Sequence, residues 1–241
     1  MCYNQTTSLV AFSISVICFV YLLYYGLTNK NKYDIFAGVV IILIGSMQLI
    51  EYFLWRSQDC SITNHNLSLA IIVLLYAQCV IGPLVAMNLF STIKGNYLSY
   101  FVIFMCIIFT VITYYTLKWL NKQKLCSKPS DCSCRLVWAP YAVFQKNFKG
   151  LFYFSAFSSF YSLLFYYAFL IQFININKNF TQISINNVIY KYPIRYLFLP
   201  VSFIFALMYA LYYEGKNYLD ILGSFWCFST VAYGIISCLH I

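Results

Sequence analysis

The chain has 241 residues, of which 62% are apolar and only 9% charged, with a mean hydropathy of +0.75. A soluble globular domain carries roughly 25% charged residues, so this composition excludes one, and it excludes a disordered chain more firmly still. The net charge of +9 would suit nucleic acid on a soluble surface, but here the basic residues stand between apolar runs, which makes membrane topology the better reading and leaves no nucleic-acid partner.

A spanning helix needs about 20 mostly apolar residues, because the hydrocarbon layer is ~30 Å thick and each residue rises ~1.5 Å. Seven segments meet that need: Ser8 to Leu27, Asp34 to Trp55, Leu67 to Ile93, Tyr97 to Leu120, Gly150 to Asn175, Ile194 to Tyr213 and Tyr218 to His240. Polar, charged and turn-forming residues mark every break. The expectation is an all-α integral membrane protein, one domain over residues 1–241, with seven transmembrane helices in one bundle. Open sheets cannot face lipid, and a barrel would need short alternating segments. The first run has no basic n-region and is too long for a cleavable signal. The excess of Tyr and Phe goes beyond what interfacial belts need and, with abundant Ile, Asn and Lys, looks like the codon bias of an AT-rich genome.

Two loops are long. The fourth, Asn121 to Lys149, carries Cys126, Cys132, Cys134, Pro129, Pro140 and an apolar string from Leu136 to Tyr141 that is too short to span, so it lies at the interface or caps the bundle. The fifth, Ile176 to Pro193, alternates polar and apolar residues around Gln182 to Asn186, which reads as a short hairpin. No inverted repeat of the transporter kind is visible.

Seven spans put the termini on opposite sides. The charge rule does not orient them, because the long fourth loop alone reverses the count. Cysteines do better. Cys18, Cys79, Cys106, Cys227 and Cys238 lie within helices as small apolar filler, whereas Cys2, Cys60, Cys126, Cys132 and Cys134 all fall on the N-terminal side. A disulfide-bearing, oxidising face explains that grouping, so the N-terminus is expected to be extracellular or lumenal. The sequons at Asn4 and Asn66 lie on the same side, as glycosylation candidates, and one at Asn179 on the other. The rival, a reduced zinc site at Cys126, Cys132 and Cys134, has poor ligand spacing, so neither a metal nor another cofactor is expected.

Inside the helices, Glu51 is the only acid away from a terminal turn. Gly45, Gln48, Glu51 and Trp55 share one helical face, which should point into the bundle. The functional reading is a carboxylate that binds a proton or orients a ligand; the structural reading is a carboxylate hydrogen-bonded to a Tyr or reaching water near Arg56. Gln78 and Asn88 flank Gly82-Pro83 in the third span, where a kink frees carbonyls. Ser155, Ser158, Ser159 and Ser162 form a small-residue face, as do Gly223, Thr230, Gly234 and Ser237, and close helix packing accounts for both. Glu214, Lys216 and Asp220 form either a polar vestibule or a solvated turn. A retinal Schiff-base lysine in the last span, the receptor motifs, a three-histidine zinc site and a phosphate-binding glycine loop are all missing.

The opening Met1-Cys2-Tyr3-Asn4 and the stretch Met47-Gln48-Leu49-Ile50-Glu51-Tyr52-Phe53-Leu54-Trp55 resemble a family of uncharacterised multi-pass membrane proteins of bacteria and large DNA viruses, which begin Met-Cys-Phe-Ser and carry Gln-x-x-Glu-x-x-x-Trp in the second helix. The resemblance covers about the first 55 residues, with Tyr3 and Asn4 departing from the pattern, and it implies a multi-pass fold without implying an activity. Three functions are therefore weighed: handling of a small molecule or ion near Gln48 and Glu51, with the lipid bilayer as the other partner; a binding or sensory module with a pocket on the cysteine-bearing face closed by Trp138 and Tyr141; and an intramembrane enzyme, which lacks a metal set or a nucleophile with its base.

Overall fold

The computed structural model describes residues 4–90, 97–130, 135–146, 148–171, 174–176, 183–185, 193–214 and 231–240. The described chain is predominantly helical. Its helices are α1 (Gln5–Thr28), α2 (Lys32–Arg56), α3 (Ile62–Phe90), α4 (Tyr97–Leu120), a short α5 (Ala139–Phe144), α6 (Phe148–Leu170), α7 (Pro193–Glu214) and α8 over residues 231–238. Two small antiparallel hairpins join them: β1 (Lys128–Pro129) with β2 (Leu136–Val137), and β3 (Ile174–Ile176) with β4 (Ile183–Ile185).

The first two helices form an antiparallel hairpin whose ends are written locally. Asn4 caps α1 by accepting from the Thr7 amide at 3.0 Å, and Asn31 caps α2 by accepting from Tyr33 at 3.2 Å. Between them Lys30 takes a left-handed φ of 53°. The buried face of α1 is Ser8, Ala11, Ser15, Cys18, Leu22 and Gly26, a seam of mostly small residues that lets two backbones approach closely. At Gly45 of α2 any added Cβ would overlap the Cβ and Oγ of Ser15.

Helix α2 is the central one. It packs on α1 and α3, and α3 in turn packs on α4 and α6. Phe36 meets Phe169 at 5.5 Å edge-on, and Phe109 lies 5.0 Å from Phe157, so aromatic contacts fill the spaces between these helices. Residues 231–238 close against the first hairpin: Gly234 lies beside Ile41 and Cys18, and Ser237 is buried. The faces turned away from this core are apolar, with Ile17 and Tyr24 on α1, Phe104 and Ile107 on α4, and Phe205 and Met208 on α7 all exposed.

Four helices, within α1 to α4, are long and apolar enough to cross a membrane. Helices α6 and α7 stand where the fifth and sixth spans are predicted, but the Tyr and Ser residues of α6 dilute its hydropathy, and the apolar stretch described in α7 is Val201–Tyr212. Several predicted bounds move. The third helix begins at Ile62, five residues before the predicted Leu67. The fifth predicted helix stops at Leu170 instead of Asn175, because Ile174-Asn175-Ile176, alternating and β-branched, pairs in register with Ile183-Ser184-Ile185. The serine face of α6 does not mediate close packing among the described residues, since Ser155, Ser159 and Ser162 are exposed. Gly223, Thr230, Lys216 and Asp220 lie outside the described residues.

Candidate functional site

Segments far apart in the sequence build two polar clusters, one at each end of α2. The first is held by the long loop after α4. Cys60 and Cys126 form a disulfide, and next to it Ser127 is latched onto the first turns of α3. The Ser127 amide donates to Asn64 Oδ1 at 2.8 Å, Asn64 Nδ2 donates to the Ser127 carbonyl at 3.0 Å and to the Ser57 carbonyl, and the Ser68 and Ser127 hydroxyls meet at 2.8 Å. All three side chains are buried. The Ala139 amide then donates to Ser127 Oγ at 3.0 Å, which starts α5 and drives Trp138 into the core. His65 accepts from the Leu125 amide through Nδ1 at 3.4 Å, which leaves Nε2 as the donor to Asn121 Oδ1 at 3.2 Å. This histidine is engaged in loop anchoring.

Trp138 reaches Glu51. Its Nε1 donates to Glu51 Oε1 at 3.0 Å, and the carboxylate is 3% exposed. One partner of this carboxyl group therefore comes from a loop 87 residues away. Arg56, offered by the sequence as the route to water, donates instead to the Tyr52 hydroxyl at 3.2 Å and sits 5.9 Å from its ring. Gln48 is 0% exposed, and neither its amide oxygen nor its nitrogen has a hydrogen-bond partner among the described residues. The expected pairing of Gln48 with Glu51 is thus not formed, because the loop indole takes the carboxylate while the amide lies one turn deeper. Trp55 is partly buried against the core.

Gln78 and Asn88 do not share a site. Gln78 donates to the Leu43 carbonyl at 3.2 Å and accepts from the Tyr161 hydroxyl at 3.1 Å, tying α2, α3 and α6 beside a cavity of about 10 Å³ that also touches Gly82. That volume holds about one water molecule. Asn88 is exposed, on the other side of Pro83. Trp138 and Tyr141 fill space rather than closing over a pocket: Trp138 is 1% exposed, and Tyr141 stacks edge-on with Phe154 at 5.7 Å.

The disulfide removes Cys126 from any zinc set with Cys132 and Cys134, which lie, with Cys2, outside the described residues. Among the described residues no three His, Cys, Asp or Glu side chains converge as metal ligands. Asn4 is exposed with its Oδ1 engaged by Thr7. Asn66 is exposed in the first turns of α3, but the Ser68 hydroxyl of its sequon is buried.

The second cluster was not legible as a site. Asp34 and Arg195, both 0% exposed, form an ion pair at 3.0 Å between α2 and α7. Arg195 also donates to the Ser237 carbonyl at 2.8 Å, Asn31 donates to the other Asp34 oxygen, and His240 Nδ1 lies 3.6 Å from that oxygen with its ring 4.3 Å from Tyr25. By sequence Asp34 is a helix-start acid and Arg195 a boundary cation. The available signal was that Asp34, Arg195 and His240 all fall on the same side of a seven-span topology. No family model, curated protein or solved structure matches the chain.

Proposed function

We propose that the protein is a multi-pass integral membrane protein of seven spans, with termini on opposite faces, that handles a small polar molecule or an ion through Gln48 and Glu51. The cysteine-bearing face, with its disulfide, is then the extracellular or lumenal one. The observation that carries the reading is the Gln48 amide, buried and without a hydrogen-bond partner among the described residues. An idle buried amide costs about 1–3 kcal/mol, whereas a ligand with its own donor and acceptor offsets that cost. One turn away, Glu51 supplies a carboxyl group, and Trp138 is the plug that a ligand entering from the cysteine-bearing face displaces. The resemblance of the first two spans to uncharacterised membrane proteins, carried by Gln48, Glu51 and Trp55, belongs to the same reading.

The test is ion flux into proteoliposomes, followed with proton- and sodium-sensitive dyes. Glu51→Gln keeps the side chain's shape and removes its charge, so it is expected to abolish flux while thermal stability stays nearly unchanged. Gln48→Met removes the amide at similar volume; it is expected to raise stability and to abolish flux as well. Flux that survives both substitutions refutes the site.

A further inference from the structure

An open groove of about 540 Å³ lies on the cysteine-bearing face, lined by Phe53, Arg56 and Ser57 at the end of α2, Asp59 in the connection, and Ser61, Thr63 and Leu67 at the start of α3. This is the size of a small-ligand site, about 300–1,000 Å³. None of these residues belongs to the Gln48–Glu51 site.

The lining is ordered by depth. Arg56 is the last residue of α2, and Phe53 lies three residues back, about 4.5 Å deeper along the axis. Leu67 lies four residues beyond Thr63 on the antiparallel α3, about 6 Å deeper. The apolar end thus points toward the helix interior of the bundle and the polar end toward the loops, which is the order of a membrane interface. The two charges are opposite but do not neutralise each other: Arg56 donates to Tyr52, Asp59 Oδ1 accepts from the Ser57 hydroxyl at 3.3 Å and the Ser61 amide at 3.4 Å, and no ion pair joins Arg56 to Asp59 among the described residues. Both Arg56 and Asp59 are exposed in the lining of the groove. Hydrogen bonding from Ser61 holds the Asp59 carboxyl below its ordinary range, so it carries its charge at neutral pH.

From this order of apolar wall, cation and carboxylate we infer that the groove binds the headgroup of a zwitterionic phospholipid with a primary ammonium, of the phosphatidylethanolamine class. Arg56 and the Thr63 hydroxyl take the phosphate, Asp59 takes the ammonium, and the first methylenes of the acyl chains lie along Phe53 and Leu67. A purely anionic headgroup meets the repulsion of Asp59. A quaternary ammonium has no N–H to donate, and the groove offers one aromatic ring where recognition of such a cation calls for an aromatic cage. The inference rests on the spanning reading above but not on Gln48 or Glu51.

The experiment is calorimetric titration of the purified full-length protein in detergent with dihexanoyl lipids. Phosphatidylethanolamine is expected to bind about ten-fold more tightly than phosphatidylglycerol or phosphatidylcholine, the scale of one charge-assisted contact. Arg56→Gln should weaken all three lipids, whereas Asp59→Asn should weaken phosphatidylethanolamine alone and erase its preference over phosphatidylglycerol. Both side chains are exposed, and an intact disulfide on a non-reducing gel reports the fold of each variant; if either fails to fold, Arg56→Lys and Asp59→Glu, which keep the charges, must retain the preference. Equal binding of the three lipids, or phosphatidylethanolamine affinity unmoved by Asp59→Asn, overturns the assignment. Glycerophosphoethanolamine, which lacks acyl chains, separates sources: binding as tight as the lipid's shows a soluble headgroup to be the ligand and overturns the lipid reading. Resistance of the protein to alkaline carbonate extraction from membranes tests the spanning reading separately, and neither result depends on flux through Glu51.

Discussion

Replacing Trp138 by Phe keeps a ring in the core and removes the N–H that reaches Glu51 Oε1 at 3.0 Å. Leaving a buried acceptor without its donor costs about 1–3 kcal/mol, so Trp138→Phe is expected to lower stability by at least roughly that amount in an SDS unfolding titration from detergent micelles. A loss below about 0.5 kcal/mol would show that the indole does not hold the carboxyl group, since removing the donor of a buried hydrogen bond costs more than that. Glu51→Gln retains an acceptor for the same indole and is expected to be far milder. The inward direction of the residue 48–51 face was legible from its helical spacing. Its partner was not, because a period of 3.6 describes which residues share a face and says nothing of what another segment brings to it.

The α1–α2 hairpin packs by close backbone approach, with Ser15 seated against Gly45. Gly45→Ala is expected to destabilise by about 1–3 kcal/mol, the range for overpacking. Ser15→Gly opens the space, so the double variant should be more stable than the two single effects combined predict, by at least about 0.5 kcal/mol of coupling. Additive effects in that cycle would show that the two helices do not meet there. The pairing of α2 with α7 is electrostatic instead. Asp34→Asn removes the carboxylate that pairs with the fully buried Arg195, and breaking a buried pair from one side costs about 3–5 kcal/mol. Removing both charges with Asp34→Leu and Arg195→Leu is expected to restore most of that loss. The same unfolding titration checks it, and a double variant as unstable as Asp34→Asn would defeat the explanation.

At the level of the whole molecule, the loop after α4 is fastened to the helices by the disulfide between Cys60 and Cys126, 66 residues apart. Closing a loop of that length restricts the unfolded chain by about 4 kcal/mol in the entropic treatment. Cys60→Ser and Cys126→Ser are therefore each expected to lower stability by up to that amount, and dithiothreitol should do the same to the unmodified protein but not to either variant. The same bond reports sidedness. The disulfide and the Asp34 cluster lie at opposite ends of α2, so after mild reduction a membrane-impermeant maleimide should label Cys60 and Cys126 from one face only, while a tag placed after Ile241 should be accessible from the other. Labelling and tag access from the same face would refute the seven-span topology.

The composition and the length of the apolar runs were sufficient to determine a helical chain with helices able to span a membrane, because the cost of exposing backbone and apolar side chains to the wrong solvent is a property of each segment by itself. The expectation of a disulfide among the loop cysteines named two residues, Cys60 and Cys126, that the structure brings together. What only the tertiary structure decided were the meetings between distant segments: Trp138 with Glu51, Ser127 with Asn64, Arg195 with Asp34. Each is a polar contact whose partner cannot be read from its own helix or loop, and each becomes energetically large only once packing removes both partners from solvent.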